Sequence, residues 1–262
     1  MKIYDCFTFM NELELLELRL ETLYDVVDYF VLVEVGKTFT GKPKSYYYDD
    51  NRELFEKYHD KIIRVHQDSL LYDNTTTREL ARENEFYNRN LIAHGIVDAE
   101  PDDYIIISDV DEIVNPTALM QGINAGLDMF ILKQKLFYYF VNCLQKQPWN
   151  GPVVIKKRLM NTPQQTRVMR GSGVNLISDG GWHYSFLGGI EKIKIKLNSY
   201  AETQTNTQII NSEGHIQKCL ETGKDLFNRT DVLFQKNFIK LEEVGHPQLT
   251  DWLEKYPEMI KL

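Results

Sequence analysis

Two stretches of this chain, residues 29–35 and 104–108, are apolar at nearly every position rather than at alternate ones. A strand with that pattern has both faces in a core, and such strands belong to parallel sheets covered by helices. This constrains the fold more than any other feature, because each parallel pair needs a long crossover connection.

The surrounding residues supply those crossovers. Residues 2–9 read as a first strand and 62–66 as a third. Between them, residues 11–27 read as a helix, with Leu13, Leu16, Leu20, Leu23 and Val27 at three- and four-residue steps. Asn11 is placed to cap it, and Glu12 and Glu14 suit its positive end. Residues 51–59 read as a short helix. Residues 75–99 read as a long one, with Leu80, Phe86, Tyr87, Leu91 and Ile92 inward. Asn115-Pro116 opens another, with proline at a tolerated first-turn position. Alternating strands and helices give an α/β fold with a mostly parallel central sheet and helices on both faces. In such sheets ligands lie beyond the carboxyl ends of the strands. Residues 9–12, 34–38 and 108–112 are therefore expected to converge on one cleft.

The second half reads differently. Residues 129–144 and 153–160 look like longer strands, and 207–222 like a helix. Residues 171–189 hold six glycines, which implies tight turns or close backbone approaches. No repeat or low-complexity linker interrupts the 262 residues. We expect one domain over 1–262, with a parallel nucleotide-binding half over residues 1–127 and a mixed second half over 128–262.

Composition excludes several classes. Hydrophobic residues make up 43%, enough for a packed core. With 30 Lys+Arg against 38 Asp+Glu, the net charge of −8 argues against a nucleic-acid partner. No apolar stretch reaches the roughly 18 residues of a membrane span, so no integral membrane segment is expected. The N-terminal residues carry no apolar signal core. The three cysteines, Cys6, Cys143 and Cys219, are odd in number and irregularly spaced. Together these features point to a reducing, cytoplasmic setting.

Three motifs could carry chemistry. The first is Ile105-Ile106-Ile107-Ser108-Asp109-Val110-Asp111-Glu112, which delivers two carboxylates to a strand end. Neighbouring carboxylates repel unless a cation lies between them. A hard divalent ion, Mg2+ or Mn2+, would fit and leave positions for phosphate oxygens. The bland alternative is a solvated acidic turn. The second motif is Asp179-Gly180-Gly181-Trp182-His183-Tyr184-Ser185-Phe186-Leu187-Gly188-Gly189. Its Trp182 and Tyr184 could form a sugar platform, and His183 could ligate metal. The alternative is a hairpin with Trp182 in the core and His183 hydrogen-bonded. In the third, Arg78, Arg82 and Arg89 fall near one helical stripe. It could hold a diphosphate or be a charged face laced by Glu/Arg pairs. The other histidines are isolated. No phosphate-binding loop, dinucleotide fingerprint, zincin motif or CxxC pair is present.

At these residues the chain resembles glycosyltransferase family 17, the family of the β-1,4-mannosyl-glycoprotein β-1,4-N-acetylglucosaminyltransferase. The similarity opens at residues 5–20 and continues through Val31-Leu32-Val33-Glu34 and residues 38–44. It extends over Glu85-Phe86-Tyr87-Asn88-Arg89-Asn90, Ser108-Asp109-Val110-Asp111-Glu112-Ile113 and residues 180–189. The resemblance implies a GT-A fold, a UDP-GlcNAc donor, a divalent ion on the Asp-x-Asp motif and inversion at the anomeric carbon. Asp109 is then expected toward ribose or water-bridged metal and Asp111 on the metal directly, with His183 as a third ligand or phosphate donor. Phe9, Asn11, Glu12 and Glu34 are candidate donor contacts at strand ends, and Arg82 or Arg89 would hold phosphate. A general base must deprotonate the acceptor hydroxyl. Asp179 and then Glu191 are the candidates, because both flank the glycine-aromatic segment. Two departures are visible. Ala201 stands where the family commonly has His, and the eukaryotic relatives carry an N-terminal anchor. A Golgi location and an N-glycan acceptor therefore do not carry over.

Two other readings share some of these features. Haloacid-dehalogenase phosphohydrolases also use Asp-x-Asp after an apolar strand, but usually on the first strand, with a downstream lysine and acidic pair. A non-catalytic sugar-binding module could use the aromatics alone, but would not need Asp109 and Asp111.

Overall fold

The computed structural model describes residues 1–75 and 77–262. Strands β1 (Ile3–Phe9), β2 (Tyr29–Val35), β3 (Ile62–Gln67) and β4 (Tyr104–Asp109) form a parallel block in spatial order β3-β2-β1-β4. The chain moves outward from β1 through β2 to β3, then returns to the other side of β1 for β4. That reversal opens a crevice between the carboxyl ends of β1 and β4.

Alternate side chains of these strands enter two separate cores, as a period of two demands. Phe7, Phe30, Leu32, Tyr104 and Ile106 pack with Leu16, Leu20 and Leu23 of α1 (Leu13–Leu23). Tyr4, Cys6, Val31, Val33, Ile105 and Ile107 pack on the opposite face with Leu91, Ile92 and Ile96. Each such side chain contributes about 1.5–3 kcal/mol when fully buried.

The helices differ from expectation at their ends. Glu12, not Asn11, stands at the N-cap of α1 and makes no side-chain cap there. A four-residue helix α2 (Tyr47–Asp50) precedes the 3-10 turn at Arg52–Tyr58. The expected long helix is two, α3 (Arg78–Asn90) and α4 (Ile92–Gly95), divided at Leu91. Thr76, inside the expected span, lies outside the described residues. The buried face of α3 is Ala81, Asn84, Asn88 and Arg89, so this helix turns polar groups inward, with Leu80, Phe86 and Tyr87 only partly buried.

The second half extends this parallel block into a larger mixed sheet. Beyond β4 it continues through β8 (Trp149–Lys156), β6 (Met129–Tyr138), β7 (Cys143–Gln145) and β11 (Lys236–Phe238), every pair antiparallel. Short β5 (Glu112–Val114) and β9 (Leu176–Ile177) lie off this path, as does β10 (Gly181–Ser185), which is antiparallel to β5 and parallel to β6. Gly181 explains one glycine of the rich segment. Its φ is +127°, and a Cβ there would lie 2.1 Å from the Ile113 carbonyl oxygen. Helix α5 (Pro116–Asn124), capped by Asn115, covers the first core with α1. The second half adds α6 (Pro163–Val168), α7 (Gly189–Ser199), α8 (Glu213–Thr222), α9 (Leu241–Val244) and α10 (Leu249–Lys255). Residues 207–212, expected to be helical, precede α8 as turns. The three cysteines are free and buried, and burial pushes the Cys143 thiol up to about 12. Among the described residues, no helix is long and apolar enough to cross a membrane.

Candidate active site

The crevice between β1 and β4 is crossed by a hydrogen bond from Thr8 Oγ1 to Asp109 Oδ1 at 3.3 Å. Asp109 ends β4, and the chain then turns through Val110 and Asp111 into β5. Beneath the turn lies Arg19 of α1, fully buried. Its guanidinium is held by Asp5 at 2.5 and 2.7 Å and donates to the carbonyls of Asp109, Val110 and Glu112 and to Ser108 Oγ. One side chain thus satisfies three carbonyls that a tight acidic turn would otherwise leave unpaired.

Cations from three other segments meet the acidic side chains. Arg89 Nη2 of α3 donates to Asp109 Oδ1 at 3.0 Å. Arg167 Nη2 of α6 donates to Asp109 Oδ2 at 3.0 Å and to Glu112 Oε1. Arg170 lies 3.8 Å from Glu112 and 4.5 Å over the Trp149 ring. Lys196 of α7 donates to Asp111 Oδ2 at 2.7 Å. Burial alone would raise both aspartates, but these cations outweigh it. Arg89 and Arg167 hold the Asp109 carboxyl far below the ordinary range, and Lys196 with His183 does the same for Asp111.

β10 delivers His183 to the same place. His183 pairs with Glu112 in the ladder, and the Tyr184 N–H donates to the Asp111 carbonyl at 2.8 Å. The His183 Nε2 lies 3.6 Å from Asp111 Oδ1, and its buried Nδ1 has no hydrogen-bond partner among the described residues. Among the described residues, no three His, Cys, Asp or Glu side chains converge to cage a metal. An acidic oxygen and an imidazole that face each other without a hydrogen bond do fit a divalent ion that completes its shell with phosphate oxygens and water.

The residues expected from sequence divide. Asp109, Asp111, His183 and Arg89 come together here. Asn11 and Glu12 line an adjoining pocket with Glu14, Phe186, Lys192 and Lys196. The remaining candidates lie elsewhere. Phe9 is buried in the first core. Glu34 is fully buried, accepting from Lys44 Nζ and the N–H groups of Tyr47 and Tyr48, so it clasps the start of α2 rather than opening to a ligand. Arg82 lies 3.7 Å from Glu202, alongside Arg78. Trp182 and Tyr184 share the face of β10 opposite His183 and point into a core, with Tyr184 also forming part of the wall of the pocket that Asn11 and Glu12 line. The Trp182 ring stacks on His246 at 3.9 Å, and the Tyr184 hydroxyl meets His246 Nδ1 at 2.9 Å, so neither is an open sugar platform. Asp179 is exposed two residues ahead of β10, where its carbonyl accepts from Asn115 Nδ2 at 2.9 Å. Glu191 is exposed in the first turn of α7.

The family model of glycosyltransferase family 17 matches residues 1–246. The chain belongs to that family. No curated protein matches it. This family 17 chain is accordingly a glycosyltransferase, which sets aside the phosphohydrolase and the non-catalytic sugar binder. The match ends at His246, the residue that braces β10 from behind.

Sequence reasoning gave no place in this cluster to Arg19, Trp149, Arg167, Arg170 or Lys196, and gave Glu112 only as the last residue of the acidic motif. Arg19 offered a signal, being a lone charge between leucines on the apolar face of α1. Arg167 and Arg170 offered none, since their segment carries no motif.

Proposed function

We propose that the protein transfers a sugar, N-acetylglucosamine from UDP-N-acetylglucosamine, to a glycan hydroxyl with inversion, assisted by Mg2+ or Mn2+. One observation carries this reading. The Asp109 and Asp111 carboxylates stand at the strand-order reversal between β1 and β4, ringed by Arg89, Arg167, Arg170 and Lys196. A diphosphate leaving group needs that concentration of positive charge in a chain whose net charge is −8.

Asp111 and His183 would hold the ion, with Asp109 beside them. When bound, the ion supplies neutralisation of charge developing on the diphosphate. Arg170 is the least committed of these guanidinium groups: its buried Nη1 makes no hydrogen bond among the described residues and lies 3.8 Å from Glu112 Oε1, and it binds phosphate in this reading. Arg89 and Arg167 fix the Asp109 carboxylate so that it orients the ribose side of the donor. Glu12 replaces Asp179 and Glu191 as candidate acceptor base. Its Oε2 accepts from the N–H groups of Met10 and Asn11, its Oε1 makes no hydrogen bond among the described residues, and the residue lines the pocket. The family's GT-A architecture is consistent with the parallel β3-β2-β1-β4 block and its crevice.

The test is hydrolysis of a nucleotide-sugar panel, with and without EDTA, by wild type and Asp111→Ala. We expect hydrolysis that EDTA removes and Mn2+ restores, lost in Asp111→Ala. Transfer by that variant in EDTA would overturn the reading.

A further inference from the structure

The site carries its own counterions. Each of its three carboxylates already touches a protein cation: Asp109 touches Arg89 and Arg167, Glu112 touches Arg167 and Arg170, and Asp111 touches Lys196. Asp111 is only 5% exposed, and the Lys196 ammonium lies 2.7 Å from its Oδ2. Among the described residues no third acidic, imidazole or thiol ligand joins Asp111 and His183. A dication arriving alone must therefore settle beside an ammonium, with a carboxylate whose charge is already neutralised. Like charges at that range oppose each other strongly in a half-buried setting. A nucleoside diphosphate changes the balance, because it brings phosphate oxygens as further ligands and negative charge for Lys196 to face.

We propose that Lys196 is a positioning residue that keeps the divalent ion off Asp111 until the donor's diphosphate is present to take over its ammonium. The inference rests on the metal-assisted reading above. Lys196 lies on α7, its Nζ 5.4 Å from the Phe186 ring centroid, and it lines the pocket adjoining Asp111. An ammonium there needs only a side-chain rotation to exchange a carboxylate for a phosphate oxygen. Linkage makes the effect reciprocal: the factor by which diphosphate tightens the ion is the factor by which the ion tightens diphosphate.

The experiment titrates Mn2+ into the full chain, reading free Mn2+ by electron paramagnetic resonance, with and without saturating UDP. Wild type, Lys196→Gln, Lys196→Arg and Asp111→Asn are compared, and a Mn2+–UDP control without protein is subtracted. In wild type, UDP should tighten Mn2+ uptake at least about tenfold, and calorimetry should show the same factor for UDP with Mn2+. Lys196→Gln should bind Mn2+ alone at least about tenfold more tightly than wild type, with a smaller gain from UDP. Lys196→Arg keeps the charge and should follow wild type, which separates charge from packing. Equal Mn2+ affinity with and without UDP, or Lys196→Gln no tighter than wild type, overturns the inference while the metal reading stands. Wild-type uptake by Asp111→Asn, or no uptake by any variant with UDP, overturns the metal reading and the inference with it.

Discussion

Glu34 and Asp111 are both acidic groups at the carboxyl ends of the parallel block, on or just past β2 and β4, and both are nearly sealed from solvent. Their environments push them in opposite directions. Burial raises Glu34, and Lys44 with the N–H groups of Tyr47 and Tyr48 does not reverse it. Burial also raises Asp111, yet Lys196 and His183 bring it far below the ordinary range. The Lys44 ammonium beside Glu34 is itself lowered by burial, whereas Lys196 is raised by Asp111 and Glu12. The difference follows from topology. β2 lies between two parallel neighbours, and its end is roofed by α2. β4 lies at the reversal of strand order, where α3, α6, α7 and β10 all send side chains inward. Burial of an acid is therefore a poor guide to function; the number of independent segments that converge on it is a better one.

The sharpest break of this comparison is in turnover. Asp111→Asn should lower donor hydrolysis by about 100- to 1,000-fold, whereas Glu34→Gln should leave activity per folded molecule within a few-fold. Steady-state kinetics on both proteins, normalised to folded fraction, decides it. A Glu34→Gln enzyme as inactive as Asp111→Asn would make the two ends equivalent.

Next in size is the support shared by the site and the core. Arg19→Met leaves Asp5 buried without a partner and frees three carbonyls of the acidic turn. A loss of about 3–5 kcal/mol is expected, with Mn2+-dependent activity falling in parallel. Denaturant unfolding measures the first and the hydrolysis assay the second. A stable but inactive variant would assign Arg19 to the chemistry instead of the scaffold.

This comparison also explains what the sequence revealed. The buried strands, helix α1 and the acidic pair were legible because each is local: period and charge lie within a dozen residues. The cations were not. Arg167 and Lys196 reach Asp109 and Asp111 across 58 and 85 residues, and nothing in their neighbours marks them. The motif around His183 was legible in composition but not in direction. Its tryptophan and tyrosine resembled ligand-binding aromatics, yet alternation along β10 places them opposite His183, against His246. The inward polar face of α3 was misjudged because Asn84 is satisfied by the backbone of Phe39 and Tyr72, in two separate loops. The mixed character of the second half was legible, but not that β8 and β6 would continue the same sheet antiparallel from β4, because periodicity does not reveal pairing direction.

The acid limb of stability separates the two carboxylates more gently. Asp111 has a depressed folded value, so its stabilising contribution is full above its unfolded value near 4 and is lost as pH falls. Glu34 has a raised folded value, so it takes up a proton in the folded state first and gains stability as pH falls through that range. Melting curves from pH 6 to pH 3.5 should show a shallower acid loss in Asp111→Asn and a steeper one in Glu34→Gln than in wild type. Parallel slopes in all three would remove the electrostatic distinction.

The smallest effect tests which face of β10 is functional. Trp182→Phe keeps a ring stacked on His246 but loses the hydrogen bond from Nε1 to the Val244 carbonyl, 3.0 Å long. That carbonyl also accepts from Lys135, so it is not left unpaired. A cost of about 1 kcal/mol follows, which for a chain of this size lowers the melting temperature by roughly 2–4 °C. Acceptor KM should be unchanged, because the ring lies on the core side of the strand while His183 faces Asp111. An unchanged melting temperature with a several-fold higher acceptor KM would turn Trp182 back toward the sugar. The division of β10 into a core face and a site face would then have to be redrawn.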